Sequence, residues 1–276
     1  MQEQRKETEF SDIDLKQWKQ YDDVLVETLW LLGPRDKTEP HAGDYWGNFI
    51  PQIPYQVLTR FTKRDHVVVD FFSGMGTTLI ECRRLGRHGI GVEIDPTIAR
   101  RSTERIRSAP NPYDVYTEVL VGDSTAQETV DRVKTQLAGL GAPQADCVIL
   151  HPPYHDIITF SEINGDLSRA GSTEAFLEQF GRVAEHASTV LKPSGFMALV
   201  IGDKYANAQL VPLGFYCMQR CIDVGFTLKA INVKEIQNNE RGKGRNGNLW
   251  KYRALVGGFY LFKHEYIMVF RKPAHK

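Results

Sequence analysis

Apolar positions along this chain change their period several times, and each change marks a predicted element. Residues 1–10 are polar and predict a frayed segment. Over 11–32, Ile13, Trp18, Val24, Leu25, Leu29 and Leu32 return at three- and four-residue spacing, which predicts a helix that Gly33-Pro34 ends. The stretch that follows is irregular up to a short helix over about 55–61. From residue 66 short apolar runs alternate with helical patterns. Strands are predicted at 66–72, 89–95, 115–123, 146–154 and 195–203, and helices at 77–85, 96–106, 126–138, 172–191 and 211–225. Two last strands, 226–236 and 264–272, flank a loop rich in Gly, Asn and Arg. This alternation predicts an α/β fold with a doubly wound, mostly parallel sheet, to which the last hairpin adds an antiparallel edge strand. Ligands bind such sheets beyond the carboxyl ends of the strands.

Length and composition add bounds to that picture. The 276 residues, 42% hydrophobic and 25% charged, suit one large domain with an ordinary core. The expected division is an N-terminal helical extension over 1–45 and a main domain over 46–276. Within the latter, 157–172 forms a candidate lid and 237–262 a candidate recognition loop. No apolar run reaches the roughly 18 residues of a membrane span, and MQEQRKETEF has no signal-peptide core, so a cytoplasmic, nucleoid-associated location is expected. Cys82, Cys147, Cys217 and Cys221 are scattered without a CxxC pair, which indicates neither a disulfide framework nor a metal site. Basic and acidic residues balance at 34 each, but unevenly along the chain. Residues 1–47 carry 11 acidic and 6 basic side chains, whereas 229–276 carry 11 basic and 3 acidic. That asymmetry suits a polyanion near the C-terminal third.

The predicted strand ends carry the chemistry. After the first comes Asp70-Phe71-Phe72-Ser73-Gly74-Met75-Gly76-Thr77-Thr78, opening a helix. The glycines let the backbone turn sharply and approach a ligand, and the helix start offers free N–H groups to a carboxylate. The G-x-G-x-x-G dinucleotide spacing fails, because Leu79 stands in the third glycine's place. The second strand ends Glu93-Ile94-Asp95, a carboxylate where paired ribose hydroxyls can donate. The third ends Asp123-Ser124, where an adenine amino group is expected. Together they imply a nucleoside with a charged, non-phosphate tail. The fourth strand runs into His151-Pro152-Pro153-Tyr154. Two prolines remove two donors and fix φ, so the turn is stiff. It suits a clamp for an exocyclic amino group, whose lone pair is delocalised into its ring. With one hydrogen held by the Pro152 carbonyl and another by His151, the nitrogen can pyramidalise, and Tyr154 can stack on a base turned out of its helix.

These segments resemble a known family. Asp70 to Thr78 is similar to the DPFxGSGTT cofactor motif of DNA amino-methyltransferases, the N6-adenine/N4-cytosine family, and His151-Pro152-Pro153-Tyr154 resembles their (Asp/Asn/Ser)-Pro-Pro-(Tyr/Phe) motif. Gly47-Asn48-Phe49-Ile50-Pro51-Gln52-Ile53-Pro54 is similar to the motif that closes over the cofactor, and His264 to Phe270 resembles the last sheet strand. The likeness spans about 44–272, in the order that places the recognition region C-terminally. It implies a Rossmann-like, S-adenosylmethionine-dependent methyltransferase fold. It further implies methyl transfer to adenine N6 or cytosine N4 of a flipped base in double-stranded DNA. The cofactor contacts it implies are Asn48, Phe49, Ile50, Asp70, Phe71, Ser73, Gly74, Gly76, Thr77, Thr78, Glu93, Ile94, Asp95, Asp123 and Ser124. The catalytic residues are His151, Pro152, Pro153 and Tyr154. A sulfonium is already a strong leaving group, so positioning provides most of the rate gain. One departure stands out: His151 replaces the usual Asp, Asn or Ser, and a neutral imidazole still accepts one hydrogen bond.

Other candidates have two readings. In the loop 238–260, Arg241, Lys243, Arg245, Lys251 and Arg253 can neutralise phosphates, while Asn246, with Asn238, Asn239 and Asn248, can reach base edges. Trp250 and Tyr252 either wedge into DNA or anchor the loop. His155-Asp156 either hold the target strand or cap a turn. Phe160-Ser161 and Asp166-Leu167-Ser168 fall in the candidate lid. Trp46 and Phe49 either flank the cofactor adenine or belong to the core, and His264 is expected as a satisfied strand histidine. The rival functions are an RNA guanine-N2 methyltransferase and an inactive cofactor-binding subunit that recognises nucleic acid. Oligomeric state and a restriction or defence partner stay open.

Overall fold

A computed structural model of the chain describes residues 8–41, 47–155, 160–207, 209–236 and 247–274. In chain order its elements are β1 (Leu29–Trp30), α1 (Gln52–Phe61), β2 (Val67–Asp70), α2 (Thr77–Leu85), β3 (His88–Glu93), α3 (Pro96–Ser108), β4 (Thr117–Val121), α4 (Gln127–Gly139) and β5 (Ala145–Leu150). Then come α5 (Thr173–Val190), β6 (Leu191–Ile201), β7 (Lys204–Ala206), β8 (Gln209–Val211), α6 (Leu213–Asp223), β9 (Thr227–Glu235), α7 (Gly247–Gly257) and β10 (His264–Arg271).

The eight-stranded sheet runs β4-β3-β2-β5-β6-β10-β9-β1. Strands β2 to β6 are parallel to one another, and β10 is antiparallel to both β6 and β9. The doubly wound, Rossmann-like plan is therefore as expected, with one correction. The antiparallel C-terminal strand is not at the edge but slots between β6 and β9. The reason lies in its composition: six of its eight residues are buried, which an edge strand could not provide. β2 is the switch point, with β3 on one side and β5 on the other, so the loops after β2 and β5 diverge around one crevice.

Alternate side chains of the strands feed two cores. Val67, Val69, Val148, Leu150, Met197 and Leu199 pack against Val133 and Leu137 of α4, Phe176 and Phe180 of α5 and Cys217 of α6. On the other face Val68, Cys147, Ile149, Ala198 and Ile267 meet Ile53, Val57 and Leu58 of α1. No helix among the described residues is long and apolar enough to cross a membrane.

The helix expected over 11–32 does not form. That segment holds a 3-10 turn at Trp18–Gln20 and strand β1, which pairs in parallel with β9. Its apolar residues have no common face to bury: Leu15, Trp18, Val26 and Leu29 are exposed, while Trp30 is buried beside Phe49 and Ile53. Tertiary bonds claim the backbone instead, as Leu25 N donates to Gln56 Oε1 (2.9 Å) and Arg60 Nη1 donates to Leu25 O (3.0 Å). The segment is thus sewn onto α1 rather than extended as a helix. Two further corrections concern the C-terminal half. Part of the expected Gly/Asn/Arg loop is helix α7, and a β7–β8 hairpin follows β6. Tyr205 of that hairpin stacks on Phe262 at 5.1 Å and accepts a hydrogen bond from Tyr260 N, tying down the return from α7.

Candidate active site

The loops after β2, β3, β4 and β5 converge on a cavity of about 530 Å³, a size ordinary for a cofactor site. Twelve of the residues expected at the donor line it: Asn48, Phe49, Ile50, Phe71, Ser73, Gly74, Thr77, Glu93, Ile94, Asp95, Asp123 and Ser124. His151, Pro152, Pro153 and Tyr154 line the same cavity. Asp70, Gly76 and Thr78 do not; they stand behind its wall. Asp70 accepts hydrogen bonds from Phe72 N (2.9 Å) and Thr78 Oγ1 (2.5 Å), which tie the loop to the first turn of α2. Burial raises the Asp70 pKa to about 6. Gly76 caps α2 at φ +80°, and a Cβ there would collide with the Ile106 side chain at 2.6 Å.

In front of that scaffold Glu93 organises the loop. Its two carboxylate oxygens each take one backbone N–H, from Gly74 and from Asp95, both at 2.9 Å. Burial first, then the charges of Asp95 and Asp166, raise its pKa to about 7. Asp95 in turn caps α3 by accepting from Thr97 N and Ile98 N. Asp123 accepts from Thr125 N and Oγ1, and Ser124 Oγ donates to Phe71 O. Ser73 Oγ and Asn48 Nδ2 are buried, with no hydrogen-bond partner among the described residues. Ser73 Oγ is turned toward β3, 2.5 Å from where a Cβ on Gly91 would stand.

Two segments roof the site. Residues 160–168 are folded on themselves by Asp166, which accepts from Ser161 N, Ser161 Oγ and Ser168 N. Gly165, at φ +93°, passes so close to Asp123 that a Cβ would lie 2.1 Å from its carboxylate. The Phe160 ring meets Gly47 from the other side, 2.7 Å from where a Cβ would stand. Residues 33–37, unforeseen as site residues, brace the second segment: Arg35 Nη1 donates to the carbonyls of Asn48 (3.2 Å) and Phe49 (3.0 Å), and Gln52 Nε2 donates to Pro34 O (2.7 Å). Gly33-Pro34 signalled a stop and concealed this role.

On the far wall the His151 ring packs on Phe49 (4.8 Å between centroids) and meets the Tyr154 ring edge-on at 5.8 Å. Burial pulls its pKa down to about 4, Glu265 opposes that shift and Lys234 reinforces it. The imidazole is therefore neutral near pH 7 and free to accept. The Tyr154 hydroxyl donates to Glu265 Oε2 at 2.7 Å, and Lys234 Nζ donates to Glu265 Oε1 at 2.7 Å. Neither Lys234 nor Glu265 was anticipated. His155, by contrast, turns inward: it is buried, bonded to Ala170 O and Lys204, so it has no face for a target strand. Trp46, Asp156, Asn238, Asn239, Arg241, Lys243, Arg245 and Asn246 lie outside the described residues. Lys251 and Arg253 are on α7, where Arg253 covers the Trp250 ring at 5.2 Å. His264 is a half-buried strand residue against the Tyr266 hydroxyl (3.1 Å).

A nucleoside-type site at the switch point of a mostly parallel sheet, with an antiparallel strand inserted beside β6, defines the S-adenosylmethionine-dependent methyltransferase fold. The chain belongs to the DNA methylase family of the N6/N4 type, which it matches over residues 1–104 and 145–276. It is 37% identical over 68 residues to the type II methyltransferase M.MjaII of Methanocaldococcus jannaschii, a match covering 24% of this chain and 13% of that protein. Among solved structures it resembles TrmN from Thermus thermophilus (TM-score 0.50, 16% identity), over 81% of this chain and 49% of the other. It also resembles the [4+2]-cyclase SpnF (TM-score 0.52, 13% identity), over 82% of each chain. That a cyclase shares the fold shows why the fold alone names no reaction. The methyl donor of this family is S-adenosylmethionine.

Proposed function

We propose that this protein methylates the exocyclic amino nitrogen of a base turned out of double-stranded DNA, adenine N6 or cytosine N4. One observation carries the reading: the His151-Pro152-Pro153-Tyr154 turn and the Ser73-Gly74 loop with Glu93 line one continuous cavity. The donor, when bound, supplies an electrophilic methyl group on a sulfonium. The residues present fit it. Glu93 has lone pairs left for ribose hydroxyls, Asp123 for an adenine amino group, and Ser73, Gly74 and Thr77 bring the start of α2 to the cavity, where its N–H groups suit the amino-acid tail. The carboxylates of Glu93, Asp95, Asp123 and Asp166 around the cavity suit a donor of net positive charge.

On the acceptor side, neutral His151 takes one amino hydrogen and the Pro152 carbonyl takes another, freeing the nitrogen lone pair, while Tyr154 packs on the base. The segment 157–172, of which 160–172 are described, acts as the lid, and the basic segment that includes α7, with Arg241, Lys243, Arg245, Asn246, Lys251 and Arg253, holds the duplex. A restriction or defence partner belongs to the same proposal. The test is transfer of a tritiated methyl group to unmethylated duplex DNA, with structured RNA in parallel and base analysis of the product. N6-methyladenine or N4-methylcytosine supports the reading. Label in RNA alone, or donor binding with no transfer, overturns it in favour of an RNA enzyme or an inactive subunit.

A further inference from the structure

Lys234 and Glu265 close the cavity from the two C-terminal strands, and the reaction described so far makes no use of them. They face each other directly across β9 and β10, at the sheet edge where β5 delivers His151. Both are buried, at 5% and 8% exposure. One oxygen of Glu265 is held by the Lys234 ammonium and the other by the Tyr154 hydroxyl, each at 2.7 Å. Stability is a poor reason for such a pair, because apolar side chains of similar volume commonly do as well in its place. Location is a better one. Both line the cavity at the wall formed by His151 and Tyr154, and Tyr154 fits there because Gly202 leaves room for its ring (a Cβ would lie 2.9 Å away).

We propose that Lys234 and Glu265 are positioning residues for methyl transfer: Glu265 fixes the Tyr154 ring against the target base and holds a negative charge beside His151, and Lys234 keeps that carboxylate ionised and in place. This rests on the amino-transfer reading above. As the amino nitrogen takes the methyl group, its lone pair becomes the new N–C bond, and the S–C pair stays on sulfur. The nitrogen then carries the positive charge. One N–H bond breaks, its electrons return to nitrogen, and the proton goes to the ring nitrogen of His151 that already holds it. An imidazolium in so enclosed a wall needs a neighbouring anion. The charged groups that act on His151 are Glu265 from β10 and Lys234 from β9, with opposite sign. Tyr154, on the same turn, stays a neutral phenol because burial and Glu265 raise its pKa.

The experiment uses the full chain as Glu265→Gln, Lys234→Met, Tyr154→Phe and the Lys234→Met/Glu265→Gln double variant. The last removes both charges together, so no buried ion is left alone if Lys234→Met does not fold. Ring NMR follows the His151 titration, assigned by its loss in His151→Asn, and needs no substrate. Relative to the unaltered protein, Glu265→Gln should titrate at the lowest pH, while Lys234→Met, whose carboxylate takes a proton once its counter-ion is gone, should match the double variant and lie between the two. Turnover on DNA should fall by about tenfold or more in Glu265→Gln and in Tyr154→Phe, with KM for the donor within about twofold. The proposal is overturned if the His151 midpoint is unmoved in Glu265→Gln, if Lys234→Met titrates above the unaltered protein, or if Glu265→Gln and Tyr154→Phe both turn over normally. Absence of methyl transfer by the unaltered protein would instead sink the amino-transfer reading, and the titration would still decide the charge coupling.

Discussion

Glu93 offers a quantitative test of the donor pocket. Its carboxylate is held by two backbone N–H groups and carries a pKa raised to about 7 by burial and by Asp95 and Asp166. In the proposed pose the ionised form accepts the ribose hydroxyls, so donor affinity follows the ionised fraction. Well above pH 7 that fraction is complete, and each pH unit below costs about tenfold in affinity. Glu93→Gln keeps the shape but turns an NH2 group toward one of its donors and removes the charge. A hydrogen bond to a charged acceptor contributes about 1.5–3 kcal/mol, so the variant should bind the donor roughly 10- to 150-fold more weakly at high pH. Its affinity should also be nearly flat with pH. The sign for stability is opposite. The folded pKa lies above the ordinary value of 4.5, so the empty folded protein holds a proton that the unfolded chain releases. Stability should therefore decline as pH rises from 4.5 toward about 7 and level off above it. Isothermal titration of the donor across this range, with thermal melts of the empty protein, reads both effects. A wild-type affinity that does not vary with pH, or a glutamine variant that varies as strongly, would refute the argument.

Other predictions separate the two walls of the cavity from the framework behind them. His151→Ala and Tyr154→Ala should leave donor affinity within a few-fold and cut turnover by about 10²–10⁴; equal losses of both, read by titration and single-turnover rates, would make the turn merely structural. Trp30→Ala should destabilise the whole protein by about 3–5 kcal/mol in urea unfolding, because Trp30 is part of the core beside Phe49 and Ile53. A loss below about 1 kcal/mol would mean that the N-terminal segment is only appended. Neutralising Arg241, Lys243 and Arg245 together should weaken DNA binding and flatten its dependence on log salt, by up to about 0.9 for each phosphate that is no longer neutralised. An unchanged slope would remove that segment from the interface.

What the sequence disclosed follows from how local each signal is. The valine run of β2, the glycines that open α2 and the proline pair after β5 are adjacent in sequence, and their chemistry is readable without the fold. Glu93 and Asp123 needed only the inference that successive strand ends share one edge. Asp70 and Thr78 carry the right motif, yet their hydroxyl–carboxylate bond turns both away from the ligand, which only packing decides. Lys234 and Glu265 stand 31 residues apart, and an isolated Lys or Glu in a strand reads as a solvent-facing position. The first thirty residues misled for the reverse reason. Their helical spacing was genuine, but hydrogen bonds to Gln56 and Arg60 outweigh a periodicity with no core to face.

The parallel pairing of β1 with β9 sets Trp30 level with Lys234, 204 positions further along the chain. Without that short strip, β9 would present a bare row of amide and carbonyl groups, a template on which another copy could add a strand. The opening segment thereby covers that margin at Val233 and Lys234 alone, the stretch of β9 that adjoins the cavity wall.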